Sequence, residues 1–149
     1  MIEKKIYWSK GATLVEILLT VSLITVFSAV AIVIYQTFWA KNDLDITTDK
    51  IVLSLRRAQV LAQGGFEDSS WGVHVEEGKV QIFQGPYASG ILLDNGEMIF
   101  AENIELGGPS EIVFTKMTGE PSPAGTVTLT GSNNETREIT INSIGVIDY

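Results

Sequence analysis

From Ile17 to Ala40 the chain runs 24 residues without one charged side chain. No other feature of its 149 residues restricts the fold as much. Coiled as an α-helix, the run spans about 36 Å at about 1.5 Å per residue, enough to cross a bilayer. Its polar members are Thr20, Ser22, Thr25, Ser28, Gln36 and Thr37. Most are hydroxyls, which can bond back to helix carbonyls and so cost little in apolar surroundings. Ahead of the run, Lys4, Lys5 and Lys10 stand against Glu3, so residues 1–11 carry a net charge of +2. Lysines before the run and an acidic stretch after it orient such a helix with its amino end in the cytoplasm.

The remainder reads as one ordinary folded domain. The whole chain has a net charge of −8, the wrong sign for a protein that lives by gripping phosphate backbones, so nucleic acid is disfavoured as a general partner. There are no cysteines, which removes disulfides, thiol catalysis, cysteine–zinc sites and iron–sulfur clusters.

Three readings compete for the amino-terminal segment. A secretory signal peptide has a shorter apolar run ending in a small-residue cleavage site. A plain signal anchor fits the length and the charges but leaves Glu16 unexplained, an ionisable residue at the start of the run, where burial costs a few kcal/mol. The third reading accounts for it. The string Lys10-Gly11-Ala12-Thr13-Leu14-Val15-Glu16-Ile17-Leu18-Leu19 resembles the class III signal of type IV prepilins. The resemblance implies a basic leader, residues 1–11, cut after Gly11 on the cytoplasmic side by a prepilin peptidase. It implies N-methylation of the new amino terminus, Ala12, and an assembly role for Glu16. Ala12 stands where phenylalanine is usual, and the run lacks the proline and glycine that let many major pilins unwind mid-helix.

Beyond residue 40 helical spacing continues. Leu44, Ile51, Leu55, Ala58 and Ala62 fall on one helix face, with Asp45, Asp49, Arg56 and Gln59 largely off it. Asn42-Asp43 offers a capping pair where the helix can break, and Gly64-Gly65 is a stop. The expected divisions are residues 1–11 as leader, 12–40 as membrane and assembly helix, 41–64 as the soluble half of the helix, and 65–149 as a β domain.

After the glycines the period changes to two. Val127 and Leu129, Ile139 and Ile141, and Ile112 and Phe114 each alternate with less apolar neighbours. Trp71–Val75 and Lys79–Phe83 read as strands joined by a tight turn at Glu76-Glu77-Gly78, and weaker strands are expected near 91–93, 98–100 and 104–106. Breaks are expected at Gly85-Pro86, Asp94-Asn95-Gly96, Gly107-Gly108-Pro109, Glu120 to Gly125 and Gly131 to Asn134. The fold class is therefore α+β, a long amino-terminal helix packed on antiparallel sheet. Within the pilin superfamily, Leu-Arg-Arg-Ala-Gln on the helix, a Trp-Gly-Val strand and a closing Gly145-Val146 resemble the GspH-like minor pseudopilins and FimT-like minor pilins.

That resemblance implies a structural subunit of a type IV pilus or type II secretion-like filament. Its partners would be other pilins or pseudopilins, the prepilin peptidase, an inner-membrane assembly platform and, before assembly, membrane lipid. It would be a single-pass inner-membrane protein with its β domain outside, later part of a periplasmic or cell-surface filament. The alternative is a DNA-binding minor pilin of an uptake pilus. Some FimT-like proteins take up DNA through a basic carboxyl-terminal region, but here Arg137 stands alone among Glu135 and Glu138.

No residue set points to an enzyme, a cofactor or a metal. His74, the only histidine, sits between Val73 and Val75 without a nucleophile beside it and reads as structural or surface. Asp43, Asp45 and Asp49 lack the loop of an EF-hand and read as a solvated helix face. Turn chemistry accounts for Asp94-Asn95-Gly96-Glu97. Asn134-Glu135-Thr136 matches a glycan acceptor triplet, a frequent chance match. No lysine-bearing helix follows Gly85 to Gly90, so that stretch is not a phosphate loop.

Overall fold

A computed structural model describes residues 13–149, except for the side chains of residues 30–34, 36 and 37. One helix, α1, covers Leu14–Gln63, and the backbone stays helical through Asn42 and Asp43, where the sequence allows a break. Two compact units divide the chain, one ending at Gln36 and the other running Thr37–Tyr149.

In the first unit the expected membrane span is not met. Among the described residues no helix is long and apolar enough to cross a membrane. The longest stretch of the uncharged run whose side chains are all described, Ile17–Ala29, falls short of the about 20 residues a crossing needs. The side chains of residues 30–34, 36 and 37, which belong to the expected span, lie outside the description.

The second unit is α+β. Its helical part ends at the two glycines: Gly64 N–H donates to Val60 O at 2.9 Å, and Gly65 takes φ +62°, the left-handed conformation that closes many helices. A single 3₁₀ turn, Phe66–Asp68, leads into nine strands. These are β1 (Trp71–Glu76), β2 (Lys79–Gln84), β3 (Ile91–Ile99), β4 (Glu105–Gly107), β5 (Glu111–Phe114), β6 (Pro121–Ser122), β7 (Gly125–Thr130), β8 (Thr136–Ile141) and β9 (Ile147–Asp148). They form two antiparallel sheets, ordered β3-β2-β1-β5-β6 and β4-β7-β8-β9.

The helix packs on both sheets, and the five residues of its predicted face are each fully buried. The covered arc is wider than that face and includes Thr47, Thr48 and Ser54. Their hydroxyls donate to Asp43 O, Leu44 O and Lys50 O, four residues back, at 2.7, 2.8 and 2.9 Å, so none of the three is stranded. From the five-stranded sheet come Trp71, Val73, Val75, Val80, Ile82, Ile112 and Phe114, and from the other Val127, Leu129, Ile139 and Ile141. Each alternating pair read from the sequence is buried. Long side chains tie the helix to both sheets. Lys50 and Arg57 donate to Ile99 O and Asn95 O of β3, and Arg137 of β8 donates to Asp45.

Two expectations need correction. Asp94-Asn95-Gly96 is not a break but a bulge inside β3, with a register shift opposite Gln81 and Phe83 and Asn95 at φ +60°. Asparagine tolerates that conformation, and Gly96 is needed because a Cβ there would lie 2.7 Å from that of Leu93. The stretch from Glu120 to Gly125 contains a two-residue strand, β6, that borders β5.

Candidate assembly surface

The amino end of α1 is built by a local hydrogen bond. Thr13 precedes the helix, and its carbonyl accepts the first helical bond, from Ile17 N–H at 3.1 Å. Its Oγ1 accepts the backbone N–H of Glu16 at 3.3 Å. Thr13 is therefore the N-cap and Glu16 the third helical residue, the spacing of a capping box. The Thr-x-x-Glu spacing ahead of an apolar run carries the signal for this role of Thr13, which the reading of the sequence missed. It gives Glu16 a second, local reason to be acidic, since carboxylates in a first helical turn are favoured by the helix dipole.

Past Glu16, large apolar side chains point outward in every direction. Leu14, Val15, Ile17, Leu18, Leu19, Val21, Leu23, Ile24, Val26 and Phe27 are all exposed, each by about half or more. A shallow apolar groove runs along the helix between Val15, Leu18, Leu19, Ser22, Leu23 and Val26. Three of the hydroxyls among them turn inward: Thr20 donates to Ile17 O at 2.9 Å, Ser22 to Leu18 O at 2.7 Å and Thr25 to Ser22 O at 2.8 Å. Such a helix offers nothing to water on any side, and soluble monomers rarely expose so continuous an apolar surface.

The predicted cleavage and methylation residues, Gly11 and Ala12, lie outside the described residues. Glu16 is described, and it is exposed at the helix start. The other candidates scatter over the second unit. The His74 ring stacks on Tyr87 at 4.0 Å between centroids, with Nε2 3.7 Å from Glu76 and Nδ1 buried without a hydrogen-bond partner. Tyr87 also meets the edge of the fully buried Phe83, so the 85–90 loop folds back over the outer face of the five-stranded sheet. Nothing in the sequence marked that fold-back beyond Gly85-Pro86. Asp45 is engaged by Arg137, whose Nε and Nη2 lie 3.0 and 2.9 Å from one carboxylate oxygen. Among the described residues no group of three acidic or histidine side chains could hold a metal.

No family model matches the sequence, and no curated protein does. Among solved structures, the minor pseudopilin EpsH from the type 2 secretion system of Vibrio cholerae matches over 71% of this chain and 94% of its own, with TM-score 0.55 and 15% sequence identity. The likeness is one of fold, and it agrees with the reading of helix and strands from the residues. The chain has the pilin-like fold of a minor pseudopilin, an amino-terminal helix packed on antiparallel β-sheet.

Proposed function

We propose that this chain is a minor pilin or pseudopilin, a structural subunit of a type IV pilus or type II secretion-like filament. The observation that carries the reading is the contrast within α1. Its carboxyl-terminal half is buried in a finished domain of pseudopilin fold, while its amino-terminal half exposes every large apolar side chain described there. A helix divided in that way is suited to two environments in turn, a membrane and then the helical core of a filament. The 24-residue uncharged run supports residues 12–40 as the membrane-spanning stage, amino end inside and β domain outside.

On this reading prepilin peptidase removes residues 1–11 after Gly11, and Ala12 becomes the methylated amino terminus. The mature chain then loses a net +2 and carries −10 in place of −8. Its partners are other pilins or pseudopilins and the inner-membrane assembly platform. Glu16 meets the Ala12 ammonium, either one turn away in its own chain or that of a neighbouring subunit in the filament, which supplies the cation that a carboxylate in apolar surroundings needs. The DNA-binding alternative gains no support from Arg137, whose guanidinium is taken by Asp45.

Intact mass of the protein from filaments sheared off its native host tests the reading. The expected species is residues 12–149 plus one methyl group. A chain that keeps Met1 in the presence of the peptidase, or that never enters the filament fraction, overturns it.

A further inference from the structure

Strand β3 lies at the edge of the five-stranded sheet, and its two halves are treated differently. Along the second half, helix side chains occupy the backbone: Lys50 Nζ donates to Ile99 O at 2.7 Å and Arg57 Nη1 to Asn95 O at 3.1 Å. Along the first half, among the described residues, no hydrogen bond from outside the sheet reaches residues 91–93. The bulge at Asn95 separates the two halves. The open half also carries apolar side chains into water, with Ile91 71% and Leu92 52% exposed. Natural edge strands are usually blunted by lysine, proline or a cover. Residues 91–93 contain neither lysine nor proline, and among the described residues nothing covers Ile91 or Leu92.

Beside this half-strand lies a groove of about 340 Å³, where the 3₁₀ turn after the helix faces the strand. Trp71 and a half-exposed Phe66 give it an aromatic wall, and Ile91 and Leu92 form the opposite side. Glu67 and Asp94 also line it, and among the described residues neither is in a salt bridge. Arg57 of the helix donates to the Asn95 carbonyl, next to Asp94 in the chain.

We infer that residues 91–93 and this groove receive an extended segment of a different protein, one that alternates apolar with basic side chains and adds to β3 as a further strand. The free strand edge selects an extended backbone, since only that can complete the ladder. The groove accepts the apolar side chains, and Glu67 and Asp94 select lysine or arginine beside them. A second copy of this chain is disfavoured by charge. Pairing the same short edge of two copies brings both acidic rims into one interface, between chains that each carry −8. The inference does not depend on the filament reading, because it rests on the second unit alone.

The test uses the full chain in detergent and a panel of short, end-blocked peptides in which valine alternates with lysine, threonine or glutamate. The expected result is binding in the order lysine, threonine, glutamate, with slowed amide exchange at residues 91–93. N-methylation of alternate backbone nitrogens in the lysine peptide should weaken binding about tenfold, because it removes ladder donors. Ile91→Lys, a change at an exposed site, should abolish binding. Glu67→Gln with Asp94→Asn should cut the preference for lysine over threonine about two- to fivefold at low salt. Equal binding of the N-methylated peptide, equal binding of the glutamate peptide, or no protection at residues 91–93 with any peptide would overturn the inference. So would self-association of the chain that Ile91→Lys abolishes.

Discussion

Glu16 carries two chemical demands at one position. It is the third residue of a capped helix, where its side chain can support the cap, and in the proposed filament it is the partner of an ammonium. Glutamine separates the two, since it keeps hydrogen-bonding capacity and loses charge. The capping contribution is about 0.5 kcal/mol, small beside the few kcal/mol that an unpaired carboxylate costs in hydrocarbon. Glu16→Gln and Glu16→Ala should therefore be equally deficient in filament incorporation, measured in sheared fractions, while both are inserted and cleaved. Rescue by glutamine would assign the residue to the cap. A second single-residue test lies at Gly145, which has φ +85° and would place a Cβ 2.3 Å from Gln59 Nε2. Gln59 donates to the Gly145 carbonyl at 2.8 Å, so the close approach is part of how the carboxyl-terminal end fastens to the helix. Gly145→Ala should destabilise the domain by about 1–3 kcal/mol in urea unfolding, through strain and displacement of Gln59 together.

Among the elements, the buried half of α1 and the strands β1, β2, β5, β7 and β8 were legible because one physical cause dominates each. Leu44, Ile51, Leu55, Ala58 and Ala62 mark the buried helix face because apolar residues recur at that spacing when a single helix side is hidden from water. Val127/Leu129 and Ile139/Ile141 do the same for period two. What was not legible depends on neighbours distant in sequence. The β3 bulge is set by packing of Gly96 against Leu93 and Ile82. The two-residue strand β6 exists only because β5 offers it an edge, and the cover of Tyr87 over His74 only because a loop folds back. The same contrast orders the energetics. Leu55→Ala should cost about 2–5 kcal/mol, because it empties a fully buried site between helix and sheets. The half-exposed Asp45–Arg137 pair should show a coupling of about 1 kcal/mol or less in a double-mutant cycle, falling as salt is added. A larger coupling would mean that the pair, and not the apolar face, anchors β8 to the helix.

For the molecule as a whole, residues 41–149 hold a complete core, with the helix face and both sheets inside the fragment. That fragment should fold alone, with circular dichroism of a mostly β protein with one helix and a single cooperative melt. The apolar half of α1 is then dispensable for folding, and in the proposed filament it serves assembly. The links that close the core run far along the chain: Asp45 to Arg137, and Gln59 to Gly145. Residues 127–141 supply the second sheet's share of the helix cover. This sets the order of events in time. A chain delivered amino end first presents its helix long before that cover exists, and pairing over such separations is slow. The domain therefore cannot lock until its last strands have emerged. The chain should stay extensible, and open to proteases, until nearly all of it has emerged. A chain ending at residue 135 should never acquire the protection of the full one.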